Sequence, residues 1–299
     1  MRNSSQVSNA LRLSFCVIGL ICATGCGSSQ KKSDSSSSVI SNSASENEIS
    51  SVDVDTSEAD VPSLKSASDN SKASNLDPRY RSLGQAIRSG RSKSITDEAA
   101  KLLGTNAYDP VALNALALLH LKRGHPGAAK LLLNKAIDRN PGTASLYNNL
   151  GVSMSQEGDD AAALTNFKKA LKADGSHRET LGNLGSMYMK GGDVSRALPL
   201  LEQSYKANRG NLSVANNYAI ALRLSGDLEG ASRIYDEILK ADPKNLNALV
   251  NDAILLIEFM NKPKDGLTLV YKIKFMETDR KDVVARANAL EKKAKAALQ

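Results

Sequence analysis

Four consecutive segments of the chain resemble one another, and they begin 34 residues apart, at residues 113, 147, 181 and 215. Self-similarity at a fixed period of this size indicates a protein built from stacked copies of one small unit. Small residues recur at two matching places in the units. The first series is Ala117, Gly151, Gly185, Ala219 and Ala253, and the second is Ala129, Ala163, Ala197 and Ala231.

The pattern within each unit predicts two helices joined by a tight turn. The small residues would let the two helices approach closely, and larger apolar residues lie beside them on the same helix faces. Pro141 and Pro243 close their units, because proline cannot continue a helix. A glycine stands between the two halves, where a chain reversal needs a permissive backbone: Gly124, Gly158, Gly192 and Gly226.

This period, together with the small residues and turn glycines, resembles the tetratricopeptide repeat (TPR). The resemblance covers residues 77–299 and implies an all-α fold. In such a fold, five to six helix pairs form a right-handed superhelix that a C-terminal capping helix closes. The resemblance is specific for the fold and weak for function, because function depends on the surface of the repeats.

The two ends of the repeat region depart from the pattern. Arg79–Gly90 and Ile95–Leu103 predict an irregular N-terminal helix pair. A fifth unit starts near Asn247; Asp252 takes the place of an apolar residue there, and residues 261–266 (NKPKDG) predict a longer turn between its helices. Residues 280–298 predict a capping helix with a polar outer face, which stacks of this kind need.

Residues 1–25 predict a signal peptide. Arg2 and Arg12 precede an apolar run, residues 15–23, that is too short to span a bilayer. The run ends in Ala-Thr-Gly-Cys, which resembles the bacterial lipobox and implies lipidation of Cys26. An ordinary secretory signal is the alternative; against it, all three cysteines lie in this segment, so the exported part would keep only Cys26. In bacterial lipoproteins, an Asp directly after the lipidated Cys tends to retain the protein in the inner membrane. This chain has Gly27 there, so the resemblance implies that the protein is located in the outer membrane.

Residues 26–76 predict a disordered tether between the anchor and the repeat domain, residues 77–299. Residues 27–75 hold 18 Ser and no aromatic residue, with four Lys against eight acidic residues, so they cannot bury enough apolar surface to order themselves. As a flexible coil they would span roughly 40 Å. The remaining residues, 76–299, hold 33 basic and 24 acidic residues, which are interspersed as on solvated helix faces and predict no nucleic-acid partner.

The sequence contains no pattern of residues typical of a catalytic site. His120 and His125 are five residues apart across a helix end, a wrong spacing for one metal, and His177 falls in a turn between units. Asp159 and Asp160 are expected at a helix start, where the helix dipole favours acids. We therefore predict no catalytic residue, metal, cofactor or small-molecule substrate.

Asparagines recur in register two residues before the first small residue of four units. This series resembles the asparagine ladder in the TPR groove of O-linked N-acetylglucosamine transferase, and the resemblance implies amides that hold an extended peptide main chain. The alternative is that each asparagine bonds the adjacent helix. The series is Asn149, Asn183, Asn217 and Asn251, and the neighbouring groove positions hold Asn148, Asn216, Ile220, Arg223, Ile254 and Ile257.

Lipid anchor, tether and repeats together resemble the pilotin lipoproteins of type IV pili and related lipoproteins of tight-adherence pili and gliding motility. The resemblance implies a protein-interaction scaffold on the periplasmic side of the outer membrane, which helps assemble an envelope machine and binds a partner's extended peptide in its concave groove. An adaptor that regulates peptidoglycan synthases or hydrolases is the alternative.

Overall fold

The structure is a computed structural model that describes residues 77–276 and 278–299. The expected signal peptide, Cys26 and the tether lie outside the described residues. The described part begins with a short 3-10 turn, Pro78–Tyr80, and contains thirteen α-helices. They are α1 (Arg81–Ser89), α2 (Ser92–Thr105), α3 (Pro110–Lys122), α4 (Pro126–Ile137), α5 (Ala144–Gln156), α6 (Asp160–Ala173), α7 (Arg178–Lys190), α8 (Val194–Ala207), α9 (Leu212–Ser225), α10 (Leu228–Ala241), α11 (Leu246–Ile254, continued by a π-helical turn, Leu255–Phe259), α12 (Pro263–Phe275) and α13 (Lys281–Ala296).

The helices form six consecutive pairs, from α1 and α2 to α11 and α12, and α13 follows the last pair. We call the first helix of a pair its A helix and the second its B helix. From α3 onward, each A helix contacts its own B helix and also the A helix of the next pair. Helix α13 contacts α11 as a further A helix would. The predicted all-α superhelix of five to six pairs with a capping helix is confirmed.

Close contact between A and B helices occurs where the sequence places small residues. A Cβ atom added to Gly151 would lie 2.6 Å from Cε1 of Phe167, and one added to Gly185 would lie 2.7 Å from Cγ of Leu201. Neither distance leaves room for a side chain. The alanines at the matching places are all completely buried: Ala117, Ala129, Ala163, Ala197, Ala219, Ala231 and Ala253.

In three of the four regular units, the turn between the two helices combines a left-handed glycine with an aspartate cap; the first unit has His125 at that place, without a side-chain cap. The four turn glycines have φ between +72° and +92°, so each takes a conformation that other residues avoid. Asp159, at the start of α6, accepts a hydrogen bond from the Ala162 N–H, as predicted for a helix-start residue. Asp160, the first residue of α6, also lies at the helix start as predicted, and it pairs with Lys190 of the next A helix at 2.7 Å.

The fifth unit has a turn of ordinary length, so the expected longer turn is wrong. Three residues separate Phe259 from Pro263, as three separate Lys122 from Pro126 in the first unit. The extra residue lies in the π-helical turn that ends α11, where the Met260 N–H donates to the Leu255 carbonyl. Asn261, with φ of 52°, therefore occupies the place of the turn glycines.

Both ends of the stack are closed by ordinary packing. At the N-terminal end, Tyr80 is buried and its hydroxyl donates to Asp109, the residue that caps α3, at 2.9 Å. At the C-terminal end, one face of α13 buries four residues against α11 and α12, while its other face is charged. These four are Val283, Ala287, Leu290 and Ala294.

Asp252 is a buried carboxyl in the first helix of the fifth unit. It is 5% exposed and holds the place that leucine or tyrosine holds in the other units. One of its oxygens, Oδ1, has no hydrogen-bond partner among the described residues. Burial, together with the charge of the Asp236 carboxylate, raises the pKa of Asp252 to about 7.

We predict that Gly151→Leu destabilises the stack. The new side chain would overlap the Phe167 ring, and such overpacking typically costs about 1–3 kcal/mol. The matched control is Gly104→Leu, another helical glycine, around which an added Cβ meets nothing within 4 Å. Thermal unfolding followed by circular dichroism should show a lower midpoint for Gly151→Leu alone. An unchanged midpoint would contradict the helix contact at this glycine.

We predict that Asp252→Leu stabilises the protein at neutral pH and removes part of its pH dependence. The folded-state pKa near 7 lies above the ordinary value of 3.8, so the folded chain keeps a proton that the unfolded chain has released. Stability from this group is therefore lost as pH rises from about 4 to 7, by on the order of 2–4 kcal/mol.

Urea unfolding at several pH values checks this prediction. The exposed Asp236→Asn is the control and should change the pH dependence only slightly, because its effect on Asp252 acts at a distance. A wild-type stability that rises over this pH window, or an Asp252→Leu variant with the wild-type pH profile, would show that the carboxyl is not protonated in the fold.

Candidate peptide-binding groove

The four in-register asparagines connect neighbouring A helices. The amide nitrogen of each donates a hydrogen bond to a side chain on the A helix of the preceding unit. Three of the four are at most 1% exposed, and Asn251 is partly buried. Asn149 donates to Asn114 Oδ1 at 2.8 Å, Asn183 to Asn148 Oδ1 at 3.0 Å, Asn217 to Ser186 Oγ at 2.8 Å, and Asn251 to Asn216 Oδ1 at 2.9 Å.

These contacts favour the second interpretation of the series, in which each asparagine bonds the adjacent helix. An amide has two donor hydrogens and one acceptor oxygen, and the bracing contact uses one hydrogen. The oxygen of Asn183 has no hydrogen-bond donor among the described residues. That the series also holds a peptide main chain stays a prediction.

Asn148 and Asn216 belong to the same bracing system. They are 1% and 4% exposed, and their side-chain oxygens accept the hydrogen bonds from Asn183 and Asn251. Asn148 also accepts a hydrogen bond from the Thr180 hydroxyl at 3.1 Å. The structure therefore assigns both residues a contact between units, in addition to the groove position that the sequence gives them.

Ile254 and Ile257 lie in the core of the C-terminal end, 3% and 7% exposed. They share a hydrophobic cluster with Val283 and Leu290 of α13, so the expected apolar stretch of the open groove is packed beneath the capping helix. Ile257 also contacts α12, where a Cβ added to Gly266 would lie 2.3 Å from its side chain. The π turn explains the placement of Ile257, because its extra residue rotates the side chains that follow it in the helix.

As a result, Glu258 takes the groove position that the 34-residue count assigns to Ile257. It is exposed and forms an ion pair with Lys293 of the capping helix at 2.8 Å. The sequence held a signal for this shift: the turn residue of the fifth unit, Asn261, follows Gly226 by 35 residues where the other units have 34.

Arg223 and Phe259 form the chemically most distinctive part of the groove. Arg223 is 6% exposed, and its guanidinium lies 4.7 Å from the centre of the Phe259 ring, which is 44% exposed. Such a stacked guanidinium is held in place and presents donors suited to carboxylates and carbonyl oxygens. Ile220, one turn before Arg223, is buried and shares a hydrophobic cluster with Met189.

A second surface feature lies at the edge of the stack, between α6 and the turn that follows α7. This crevice has a volume of about 400 Å³ and a floor of Leu164, Met187 and Tyr188. Two ion pairs line its rim, Lys190 with Asp160 and Arg196 with Asp193. No motif in the sequence indicated this crevice.

The described part of the chain shows no cluster of side chains suited to binding a metal ion. Among residues 77–276 and 278–299, no three His, Cys, Asp or Glu side chains are placed to hold a metal ion. The rings of His120 and His125 are 6.1 Å apart, and His177 caps α7 through its ring Nδ1. No helix in these ranges has the length and apolar character needed to cross a membrane.

Comparison with known proteins gives a family and a fold. A family model described as tetratricopeptide repeat matches residues 79–243, from the N-terminal pair to the end of α10. No curated protein matches the chain.

Three solved structures with the same fold each share less than a fifth of their sequence with this chain. Pseudomonas aeruginosa pilF matches at 17% identity with a TM-score of 0.60, covering 73% of this chain and 95% of that one. YrrB, described as a TPR protein with an unusual peptide-binding site, matches at 19% identity with a TM-score of 0.53, covering 66% and 99%. MamA, residues 41 to the end, from Desulfovibrio magneticus RS-1 matches at 19% identity with a TM-score of 0.50, covering 57% and 97%.

We predict that Asn149 and Asn114 are energetically coupled. A double-mutant cycle of Asn149→Ala and Asn114→Ala should give a coupling free energy of about 0.5–1.5 kcal/mol in urea unfolding, because either change alone breaks the 2.8 Å hydrogen bond. Asn134→Ala, on the exposed side of α4, is the control and should leave stability nearly unchanged. Strictly additive effects would show that this hydrogen bond does not brace the A helices.

Proposed function

Because the chain belongs to the tetratricopeptide repeat family, whose members generally act as protein–protein interaction scaffolds, we propose that it is a lipid-anchored scaffold. It sits on the periplasmic side of the outer membrane and helps assemble or stabilise an envelope machine. The machine is the secretin of a type IV or tight-adherence pilus, or a gliding-motility complex. The partner supplies an extended segment that lies along the A helices.

The observation that carries the proposal is the continuous, cross-braced face of five A helices. Hydrogen bonds between neighbouring A helices hold this face in one shape, so a partner loses little free energy to rearrangement of the scaffold. The face ends at Arg223 and Phe259, which offer a cation and an exposed ring side by side. YrrB, which shares the fold, is described as having a peptide-binding site, and we propose peptide binding here as well.

The membrane location rests on the sequence before the repeats. Residues 23–26, Ala-Thr-Gly-Cys, support lipidation of Cys26, and Gly27 supports the outer membrane. A lipid anchor with a serine-rich tether would hold the stack near the bilayer while leaving its A helices accessible. Each buried methylene of an acyl chain contributes about 0.8 kcal/mol, so a lipid with two or three chains anchors firmly.

A cross-linked pull-down from the native envelope tests the proposal. The wild-type chain should recover a secretin or a motility subunit. Phe259→Ser should recover several-fold less, because the ring lies at the end of the groove and is 44% exposed, so its loss leaves the core intact. Leu131→Ser is the matched control: Leu131 is 72% exposed on the B helix α4 and should not affect recovery.

Two outcomes would contradict the proposal. Recovery of a peptidoglycan synthase or hydrolase in place of a pore or motility subunit would assign the chain to the adaptor class. Equal losses from Phe259→Ser and Leu131→Ser would show that the A helices are not the binding surface. Radioactive palmitate, added to the same cells with wild type and Cys26→Ser, reports separately whether the anchor is present.

A further inference from the structure

Helix α12 exposes two aromatic side chains on its outer face. Phe275 is 89% exposed, the largest value among the large apolar residues of the described chain, and Tyr271, one helical turn earlier, is 48% exposed. The opposite face of α12 is ordinary core, with Val270 and Ile273 at most 1% exposed. The exposed rings therefore are not needed to pack the fold.

Lysines lie on the same helix as these rings and on the neighbouring capping helix. Lys264 and Lys272 are exposed on α12 and make no ion pair with any described residue. Lys295 of the capping helix lies 6.0 Å from the centre of the Tyr271 ring and also pairs with Glu291 at 2.7 Å. Residues 263–299 hold nine basic and five acidic residues, so this end carries a net charge of +4 out of the +9 of residues 76–299.

From this arrangement we propose that the outer face of α12, which we call the α12 face (Lys264, Thr268, Tyr271, Lys272 and Phe275), docks on an anionic phospholipid surface. Aromatic rings favour the boundary between headgroups and acyl chains, and lysines favour a negatively charged surface. A protein partner of the usual kind would offer a pocket for so exposed a ring; the exposed lysines of α12, which outnumber its one exposed acidic residue, Asp265, instead match a planar surface of negative charge.

The inference rests on the proposed lipid anchor. A chain tethered to the bilayer meets it at a high effective concentration, so a weak contact of two rings and a few lysines is enough to hold the stack against the surface. Each lysine near an anionic surface contributes about fivefold in affinity. Docking through α12, a B helix, fixes how the A helices are presented to a partner.

The chain has no tryptophan, so a single Trp can report the depth of one position. The lipidated full chain carrying Phe275→Trp is reconstituted in vesicles of phosphatidylethanolamine and phosphatidylglycerol that contain brominated lipid. We expect its emission to shift to shorter wavelength and to be quenched several-fold more than that of Leu131→Trp. Leu131 is also exposed, at 72%, but lies on α4 at a distance along the stack.

Charge reversal gives a second readout. Lys264→Glu with Lys272→Glu, placed in the Phe275→Trp background, should reduce the quenching, and vesicles of phosphatidylcholine alone should do the same. Circular dichroism should show unchanged melting for all these variants, because every altered side chain is exposed.

Equal quenching at positions 275 and 131, or none at 275, would overturn the proposal. So would an emission shift of Phe275→Trp that needs envelope protein and does not occur on vesicles, which would assign the α12 face to a protein partner. If the chain proves not to be lipidated, the same Trp variants on added vesicles still test the α12 face. Partner recovery through Phe259 is measured separately, so failure of one proposal does not imply failure of the other.

Discussion

The contact between the two helices of each unit, made at a residue with almost no side chain, determines the rest of this structure. Gly151 and Gly185 allow the Phe167 and Leu201 side chains to lie where a Cβ would otherwise be. Because every regular unit repeats this contact, its two helices cross in the same way and the units stack with one geometry. Repeats of this kind lean only on their neighbours, so the geometry of each contact is passed along the stack.

Regular stacking puts equivalent positions of successive A helices side by side. A side chain such as Asn149 therefore meets Asn114 of the unit before it, and a hydrogen bond forms between residues that are 35 apart in sequence. These amides fix the spacing of the A helices, and the A helices form the face on which we propose that a partner binds. The same A helices therefore carry both the bracing amides and the proposed binding surface, with Arg223 and Phe259 at one end of it.

The regular part of the fold could be predicted from sequence because a close helix contact admits only glycine or alanine, and the pattern recurs four times. The π turn could not be placed in the same way. One extra residue between Gly226 and Asn261 is compatible with either a longer turn or a wider helix. The structure has the wider, π-helical turn, in which Ile257 packs against Gly266. The asparagines were ambiguous because an amide serves a neighbouring helix and a peptide equally well. The exposed Phe275 follows no period, so no pattern indicated it.

We propose that a partner lies along the A helices. A photoactivatable cross-linking residue placed at Glu258, an exposed position on the A-helix side of the fifth unit, tests it in living cells against the same residue at Lys168, an exposed position on the B helix α6. We expect irradiation to yield one dominant cross-linked envelope protein from position 258 and little from position 168. The same protein cross-linked from position 168, with none from position 258, would contradict it.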